Sequence, residues 1–191
     1  MILFNMRYIL FVFVIALMHS SCTGDEYDRM LEKELSKGKK EDTLFFGIKF
    51  GMTNKEFFAH CWEMNKKGIF TDGTNNTAVL YKMKTELKHE ASMNFYPDFE
   101  NGKIVRMKTN FQYDGWAPWN KALFADSLLI DVLDLYRRWY RGNEFIKMTN
   151  PEKRTIYVKI DGNRRITIGR FNDFLVKVDY ADLLAIKPKN K

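Results

Sequence analysis

The sequence has 191 residues, of which 46% are hydrophobic, and it includes 16 Phe, nine Tyr and four Trp. A chain of this length is long enough for one domain with a substantial core, which the aromatic residues can fill. Two cysteines are too few for a fold held by several disulfides. The formal net charge of +7 favours anionic partners.

The first 21 residues show the three regions of a secretory signal peptide in order. Arg7 carries the positive charge, Tyr8 to Met18 form an apolar run, and small residues precede Cys22. The run has 11 residues, which is too short to span a bilayer. We predict that residues 1–21 are removed, which leaves 170 residues and a net charge of about +6 because Arg7 is lost.

The segment LMHSSC, residues 17–22, resembles the lipobox of bacterial lipoproteins. In that family the cysteine, here Cys22, is diacylglyceryl-modified and becomes the new N-terminus. His19 departs from the pattern, which most often has Leu or Val at that position. The resemblance implies a cell-envelope protein attached to the membrane through lipid on Cys22. An ordinary cleaved signal peptide is the alternative.

Asp25 and Glu26 follow Cys22 closely. Such an acidic pair resembles the export signal that sends lipoproteins of Bacteroidota-type bacteria to the outer face of the outer membrane. A few acidic residues in a linker are an equally good explanation. Residues 22–43 contain few apolar side chains, which predicts a flexible tether between lipid and domain. An outer-membrane location, with the protein exposed at the surface, argues against nucleic acid as a partner.

The predicted domain spans residues 44–182 and begins with a strand over residues 44–50. Thr53 and Glu56 then form the capping box of a helix over residues 54–67. The apolar face expected for this helix consists of Phe57, Phe58, Cys61 and Trp62.

Alternating apolar residues predict strands over residues 79–83, 87–95 and 105–113. Asn101-Gly102 is typical of a tight hairpin turn between the last two. Pro97 should end strand pairing early or lie at an edge, because proline has no amide hydrogen to donate.

A second helix is predicted from Pro118 or Asp126 to Arg141. Asp134 stands four residues before Arg138, a spacing that places the two charges side by side on a helix.

Three more strands, over residues 156–160, 166–168 and 174–180, complete the domain, and residues 183–191 are predicted to be a disordered basic tail. Runs of strands after each helix predict an α+β fold. We expect an antiparallel sheet with two main helices on one face, built from two similar helix-plus-hairpin halves.

The opening of the domain, Gly47 to Phe58, reads GIKFGMTNKEFF. It resembles the start of the small outer-membrane-assembly lipoproteins and of β-lactamase-inhibitor-protein-like domains, which pack helices on an antiparallel sheet. The resemblance covers about a dozen residues. It implies a non-catalytic binding domain without naming a partner.

The sequence contains no pattern typical of a catalytic or metal site. Cys61 and His60 are neighbours on a helix, where side chains point about 100° apart, so they cannot act as a thiol–imidazole pair. We expect Cys61 to be buried and inert. His89 alternates with Leu87 and Ala91, which favours a packed histidine. No zinc-ligand spacing is present, and no cofactor is predicted.

Two features are candidates for ligand binding. Trp116 and Trp119 precede the second helix, and flat aromatic rings are a platform for sugar faces; their alternative role is in the core. Arg164 and Arg165 belong to a group of cations around Asp161-Gly162, which could instead protect an edge strand. The group comprises Lys153, Arg154, Lys159, Arg164, Arg165 and Arg170. We predict that the two tryptophans and the two arginines bind an anionic glycan or an acidic protein face.

The expected function is therefore lipid-anchored binding in the cell envelope, without catalysis. One alternative is a hydrolase of envelope glycans that uses Asp98, Glu100 or Asp114. Another is a lipoprotein immunity factor that blocks a secreted toxin. Two carboxylates converging in a cleft would favour the hydrolase, and an open sheet face would favour binding.

Overall fold

The computed structural model describes residues 23–73 and 77–186. The predicted signal peptide and Cys22 lie outside the described residues, as do residues 187–191 of the predicted tail. Within the described part, one antiparallel sheet combines with helices, so the predicted α+β class is confirmed.

The described α-helices are α1 (Thr23–Ser36), α2 (Asn54–Lys66) and α3 (Ala125–Trp139), and a 3-10 helix spans Lys121–Leu123. The strands are β1 (Phe70–Asp72), β2 (Val79–Met83), β3 (Ala91–Glu100), β4 (Lys103–Tyr113), β5 (Ile146–Thr149), β6 (Thr155–Asp161), β7 (Arg164–Arg170) and β8 (Val176–Asp182). Their order across the sheet is β1-β2-β3-β4-β8-β7-β6-β5.

The strand order divides the chain into two similar halves. In each half one helix precedes four strands that pair in sequence: α2 with β1 to β4, and α3 with β5 to β8. The halves join through their last strands, β4 and β8, which pair antiparallel. The order of strands is therefore symmetric about the β4–β8 pair.

Local signals place several elements where the sequence predicts them. The Thr53 amide donates to Glu56 Oε2 at 2.7 Å, and the Glu56 amide donates to Thr53 Oγ1 at 3.2 Å, so α2 begins at the predicted capping box. Asn101 and Gly102 both have positive φ, 50° and 72°, as a tight hairpin turn requires.

Pro97 lies inside β3, which continues to Glu100. On the β2 side, pairing stops at Phe95, so no strand there needs the amide that Pro97 lacks. On the β4 side, Pro97 remains paired with Met107. The predicted early end of pairing therefore holds for one side of the strand.

The predicted strand over residues 44–50 is wrong. Phe46 and Gly47 have φ values of 49° and 82°, which reverse the chain, and the Leu44 amide donates to the Ile48 carbonyl at 2.9 Å. The segment is a tight loop, because glycine adopts the left-handed region at little cost.

Other boundaries also differ from prediction. The strand predicted from residue 87 begins at Ala91. The second helix begins at Ala125, next to the later of its two predicted starts, Asp126, and not at Pro118. β1 and β5 were not predicted, because three or four residues are too few to show alternation. The chain stays hydrogen-bonded beyond β8, where the Ile186 amide donates to the Asp182 carbonyl at 3.0 Å.

The main core lies between α3 and the sheet. It combines buried residues of α3 with side chains of β3, β4, β7 and β8. Three tyrosines form a hydrogen-bonded chain inside it: the Tyr180 hydroxyl donates to Tyr136 at 2.7 Å and lies 2.9 Å from the Tyr140 hydroxyl, which donates to the Leu44 carbonyl at 2.5 Å. Placement of α2 and α3 on the same face stays a prediction.

The segment predicted as a tether contains α1, which packs on the sheet. In β6, Lys159 pairs with Ile166 and therefore points to the same face of the sheet as the main core. Because strand side chains alternate in direction, Val158 and Ile160 point to the face away from the main core. α1 covers that face and forms a second apolar cluster there. Its members include Tyr27, Met30, Leu31, Ile146, Val158 and Ile160.

Glu34 fixes the end of α1 to the turn between β6 and β7. Its carboxylate is 4% exposed, accepts from the Gly162 amide at 3.0 Å and pairs with Lys37 at 2.5 Å. A side chain at Gly162 would clash with the Lys39 carbonyl, so glycine permits this close approach. Residues 22–43 are therefore not a flexible tether over the part that the structure describes.

Stability should depend on Glu34 in a pH-dependent manner. Burial opposes its charge, but hydrogen bonds, chiefly from Lys37, outweigh burial and lower its pKa from 4.5 to about 2. The charged form therefore stabilises the fold above pH 4.5, and this contribution is lost as the pH falls from 4.5 to 2.

We expect Glu34→Ala to lower the free energy of unfolding by about 1–3 kcal/mol at pH 7. The deficit should shrink at pH 3, as measured by urea denaturation. Exposed Glu32, on the same helix, is the matched control through Glu32→Ala. Equal effects of the two substitutions would contradict the anchoring role of Glu34.

Candidate functional site

The two predicted tryptophans and two predicted arginines do not form one site. Trp116 is half-buried against the rings of Phe124 and Phe174, at 5.8 and 5.2 Å, whereas Trp119 is 84% exposed. Phe174 precedes β8, but Arg164 pairs with Asp182 at the other end of that strand. A strand of this length separates the two pairs by roughly 20 Å.

Arg164 and Arg165 point to opposite faces of the sheet and hold different elements. Arg164 is 4% exposed, donates to the Thr43 carbonyl at 2.6 Å and stacks 4.6 Å from the centre of the Tyr140 ring. Arg165 is half-buried and donates to the Tyr27 hydroxyl of α1 at 3.1 Å. Both arginines therefore support the fold.

Lys159 and Arg164 do not have the edge-protecting role considered for the cations of the last hairpin, because both are buried. Lys159 is buried and donates to the Tyr140 carbonyl at 2.5 Å, at the C-terminal end of α3. The partial negative charge at that end of the helix favours a cation. β6 and β7 are inner strands rather than edges, so their inward cations become part of the interior.

Arg164 nevertheless lies in the wall of a cleft of about 860 Å³. The cleft is bounded by the segment after α1, the end of α3 and Glu86. Its aromatic lining consists of Phe45, Phe46, Trp139 and Tyr140. Its basic lining consists of Lys39, Arg138, Arg141 and Arg164, and we call it the cationic cleft.

The two carboxylates of the cationic cleft are already engaged. Glu41 pairs with Lys39 at 2.5 Å. Glu86 accepts hydrogen bonds from the Tyr81 hydroxyl and, at 3.0 Å, from the Thr85 amide. Burial opposes the charge of Glu86, but the bond from Tyr81 and several backbone amides outweigh it, so its pKa lies below the usual value.

Two arginines at the cleft keep their charge available. Arg138 was predicted to pair with Asp134, but Arg137 takes that partner at 2.6 Å. Arg138 donates to the Glu86 backbone carbonyl at 3.0 Å instead. Arg141 is exposed and has no ion-pair partner within residues 23–73 and 77–186. Guanidinium groups beside aromatic rings suit an anion carried on a ring-shaped ligand.

The buried face of α2 is rotated relative to the prediction. Phe57 is buried as expected, but Cys61 is only half-buried, and Phe58 and Trp62 are exposed. His60 lies outside the predicted apolar face, yet it is half-buried with Nε2 2.7 Å from the Phe46 carbonyl oxygen. The rotation arises because the loop at Phe46 packs against this side of the helix.

The residues considered for catalysis are packed against other side chains or paired with them. Burial raises the pKa of the Cys61 thiol to about 11, so it stays protonated. His89 packs edge-on against the Tyr113 ring, 5.3 Å between centres. Asp98 pairs with Lys108 at 2.8 Å, and Asp114 accepts from Lys82 and Ser92. Asp98 lies opposite Arg106, and Asp114 follows the last residue of β4, so the two carboxylates are roughly 25 Å apart along the strand.

Residues 23–73 and 77–186 contain no group of three or more His, Cys, Asp or Glu side chains that could hold a metal ion. No helix among them is long and apolar enough to cross a membrane.

Removing Arg164 should destabilise the fold more than removing its neighbour Arg165. Arg164→Met would leave Asp161, which lies 3.6 Å from the Arg164 guanidinium, with Lys159 at 3.4 Å as its remaining cation. We expect a loss of about 3–5 kcal/mol in the free energy of unfolding, measured in urea. Arg165→Met should cost about 1 kcal/mol. Equal losses would mean that burial does not distinguish the two arginines.

Similarity to known proteins does not identify the chain. No family model matches it, and no match was found among curated proteins or among solved structures. Function is therefore inferred from the residues of this chain.

Proposed function

We propose that this chain is a lipid-anchored binding protein of the bacterial cell envelope that holds an anionic glycan in the cationic cleft. The observation that carries the proposal is the pair Arg138 and Arg141, whose charges no described carboxylate neutralises, beside an aromatic lining. The volume of about 860 Å³ lies within the range of small-ligand sites. A concave site suits a glycan better than the flat face of a protein.

The anchor is supported by the LMHSSC segment that ends at Cys22. Because α1 begins at Thr23 and packs on the sheet, a lipid on Cys22 would hold the domain close to the membrane surface. An arm of 22 flexible residues would not restrict the domain in this way. The cleft would then face ligands of the envelope at short range.

A second candidate is an immunity factor that covers a secreted toxin. It is favoured by the face of β3 and β4 that points away from the main core, where polar side chains are only partly buried. They are Ser92, Asn94, Asn110 and Gln112. α1 contacts the sheet mainly at β5 and β6, near the far edge of the sheet, so it does not cover these side chains. The hydrolase is less well supported, because Asp98 and Asp114 are paired with lysines at separate places.

Cys22→Ser should abolish acylation, since serine has no thiol to receive the diacylglyceryl group. We expect loss of labelling by an alkyne fatty acid and release of the protein from the membrane fraction. Cys61→Ser, at the other cysteine of the chain, is the control and should keep both properties. Unchanged labelling of the Cys22→Ser protein would remove the lipoprotein proposal.

The ligand is tested with heparin as a soluble anionic glycan. Replacing both Arg138 and Arg141 by Ser should raise the dissociation constant at least about tenfold and lower the salt concentration needed for elution, since exposed charges are screened by salt. The charge-matched control replaces Arg137 and Arg154, which already pair with Asp134 and Glu152.

Equal weakening by the two double variants would show that heparin senses net charge rather than the cationic cleft. Binding unchanged by loss of Arg138 and Arg141 would also contradict the proposal. Circular dichroism of each variant checks that the fold is retained.

A further inference from the structure

Three exposed aromatic side chains surround one concavity of about 430 Å³. Phe58, Trp62 and Tyr96 are 49%, 62% and 40% exposed. Phe58 and Trp62 are one turn apart on α2, so they project on the same side of the helix. The concavity shares no lining residue with the cationic cleft. We call it the aromatic concavity.

The rings are held in place from below. Phe57 is fully buried, and its ring centre lies 5.4 Å from that of Phe58 and 6.2 Å from that of Tyr96, both at steep angles. Lys66 lies 5.6 Å from the centre of the Trp62 ring and also pairs with Glu63. Exposed apolar rings gain free energy when a ligand covers them. A cluster of such rings in one place therefore marks a contact surface.

Polar groups lie beside the rings. Asn65 donates to the Phe70 carbonyl at 2.9 Å, which leaves its side-chain oxygen as an acceptor. Asp72 lies two residues after buried Phe70 in β1, so its exposed carboxylate is on the same side of the strand as Phe70, whereas the Thr71 side chain points to the other side. Among the described residues of the lining, Asp72 is the only one that carries a charge. The aromatic concavity therefore combines ring faces with an amide and a carboxylate group.

We propose that the aromatic concavity binds a neutral pyranose unit of a glycan. The C–H bonds on the face of a sugar ring pack against the electron-rich faces of aromatic rings. The sugar hydroxyls donate to Asp72 and Asn65. The carboxylate of Asp72 repels an anionic sugar, and the charge of Lys66 beside Trp62 is paired with Glu63. This preference is opposite to that of the cationic cleft.

The same groups disfavour two other occupants, which are a protein partner and a membrane surface. The apolar anchor of a protein partner would leave the carboxylate of Asp72 without hydrogen bonds on burial, which is costly. A membrane surface would receive rings that protrude, whereas these rings line a depression. The inference does not depend on the proposed function, because neither Cys22 nor the cationic cleft contributes to the site.

The test uses the full chain with Cys22→Ser, in which Cys61 is the only thiol. Cys61 lines the aromatic concavity, so a bound sugar should slow its reaction with N-ethylmaleimide. The probes are maltohexaose, cellohexaose, mannohexaose and chitohexaose, with a heparin hexasaccharide as the anionic comparison. Tryptophan fluorescence detects binding to the unsubstituted site. The sugar concentration that half-protects Cys61 gives the dissociation constant in every variant, including those that lack a tryptophan, and it also reports the place of binding.

We expect at least one neutral hexasaccharide to bind and to slow Cys61 labelling threefold or more, whereas the heparin fragment should not slow it. Trp62→Ala should raise the dissociation constant at least tenfold, and Asp72→Asn, which keeps the shape of the site, at least threefold. The matched control is Trp119→Ala, because Trp119 is also highly exposed but lies outside the aromatic concavity.

Three results would overturn the proposal. The first is that none of the four neutral probes protects Cys61. The second is that Trp62→Ala and Trp119→Ala weaken binding equally. The third is a shift of tryptophan emission with phosphatidylcholine vesicles that Trp62→Ala removes, while no sugar binds; this result would assign the rings to a membrane surface.

Discussion

The turn between β6 and β7 is the point on which the rest of the structure depends. Gly162 donates its amide to Glu34 at the end of α1, and Asn163 accepts from the Glu41 amide at 2.6 Å. Asn163 also donates to Asp182 at the end of β8, at 2.9 Å. One turn thus fixes the N-terminal helix, the segment that follows it and the end of the last strand.

That turn also decides where the cationic cleft lies. The segment after α1 forms one wall of the cleft, and it reaches that position because Asn163 and Arg164 bind its backbone at Glu41 and Thr43. Arg164 stacks on Tyr140, whose hydroxyl binds the same segment at Leu44. Buried ionic groups rarely add net stability, because desolvation offsets their attraction. Here they hold a segment of chain in one position, which apolar contacts would specify less strictly.

The two candidate sites use aromatic residues in different ways. In the cationic cleft the rings belong to the main core, and arginines add charge at its edge. In the aromatic concavity the rings of Phe58 and Trp62 stand outside the core, on a helix that buries Phe57. A domain with this many aromatic residues fills its interior and still has rings on its surface. Position relative to the sheet decides which of them can reach a ligand.

The sequence by itself determined the features whose causes are local. The capping box at Thr53 places the start of α2, and Asn101-Gly102 places the β3–β4 turn, because each is encoded by neighbouring residues. Alternation of apolar residues located β2, β4 and β8 and indicated the α+β class. The two similar halves also follow from the order of the predicted elements.

Only the tertiary structure decided which side chains are exposed and which come together. The loop at Phe46 covers His60 and turns Trp62 outward, and the end of α3 buries Lys159. Arg137 rather than Arg138 takes Asp134, which leaves Arg138 for the cationic cleft. The apolar residues of α1, namely Tyr27, Met30, Leu31 and Leu35, have helical spacing, which the prediction of a tether overlooked. Its position on the domain comes from packing on β5 and β6. These outcomes depend on contacts between residues far apart in the chain, and periodicity carries no information about such contacts.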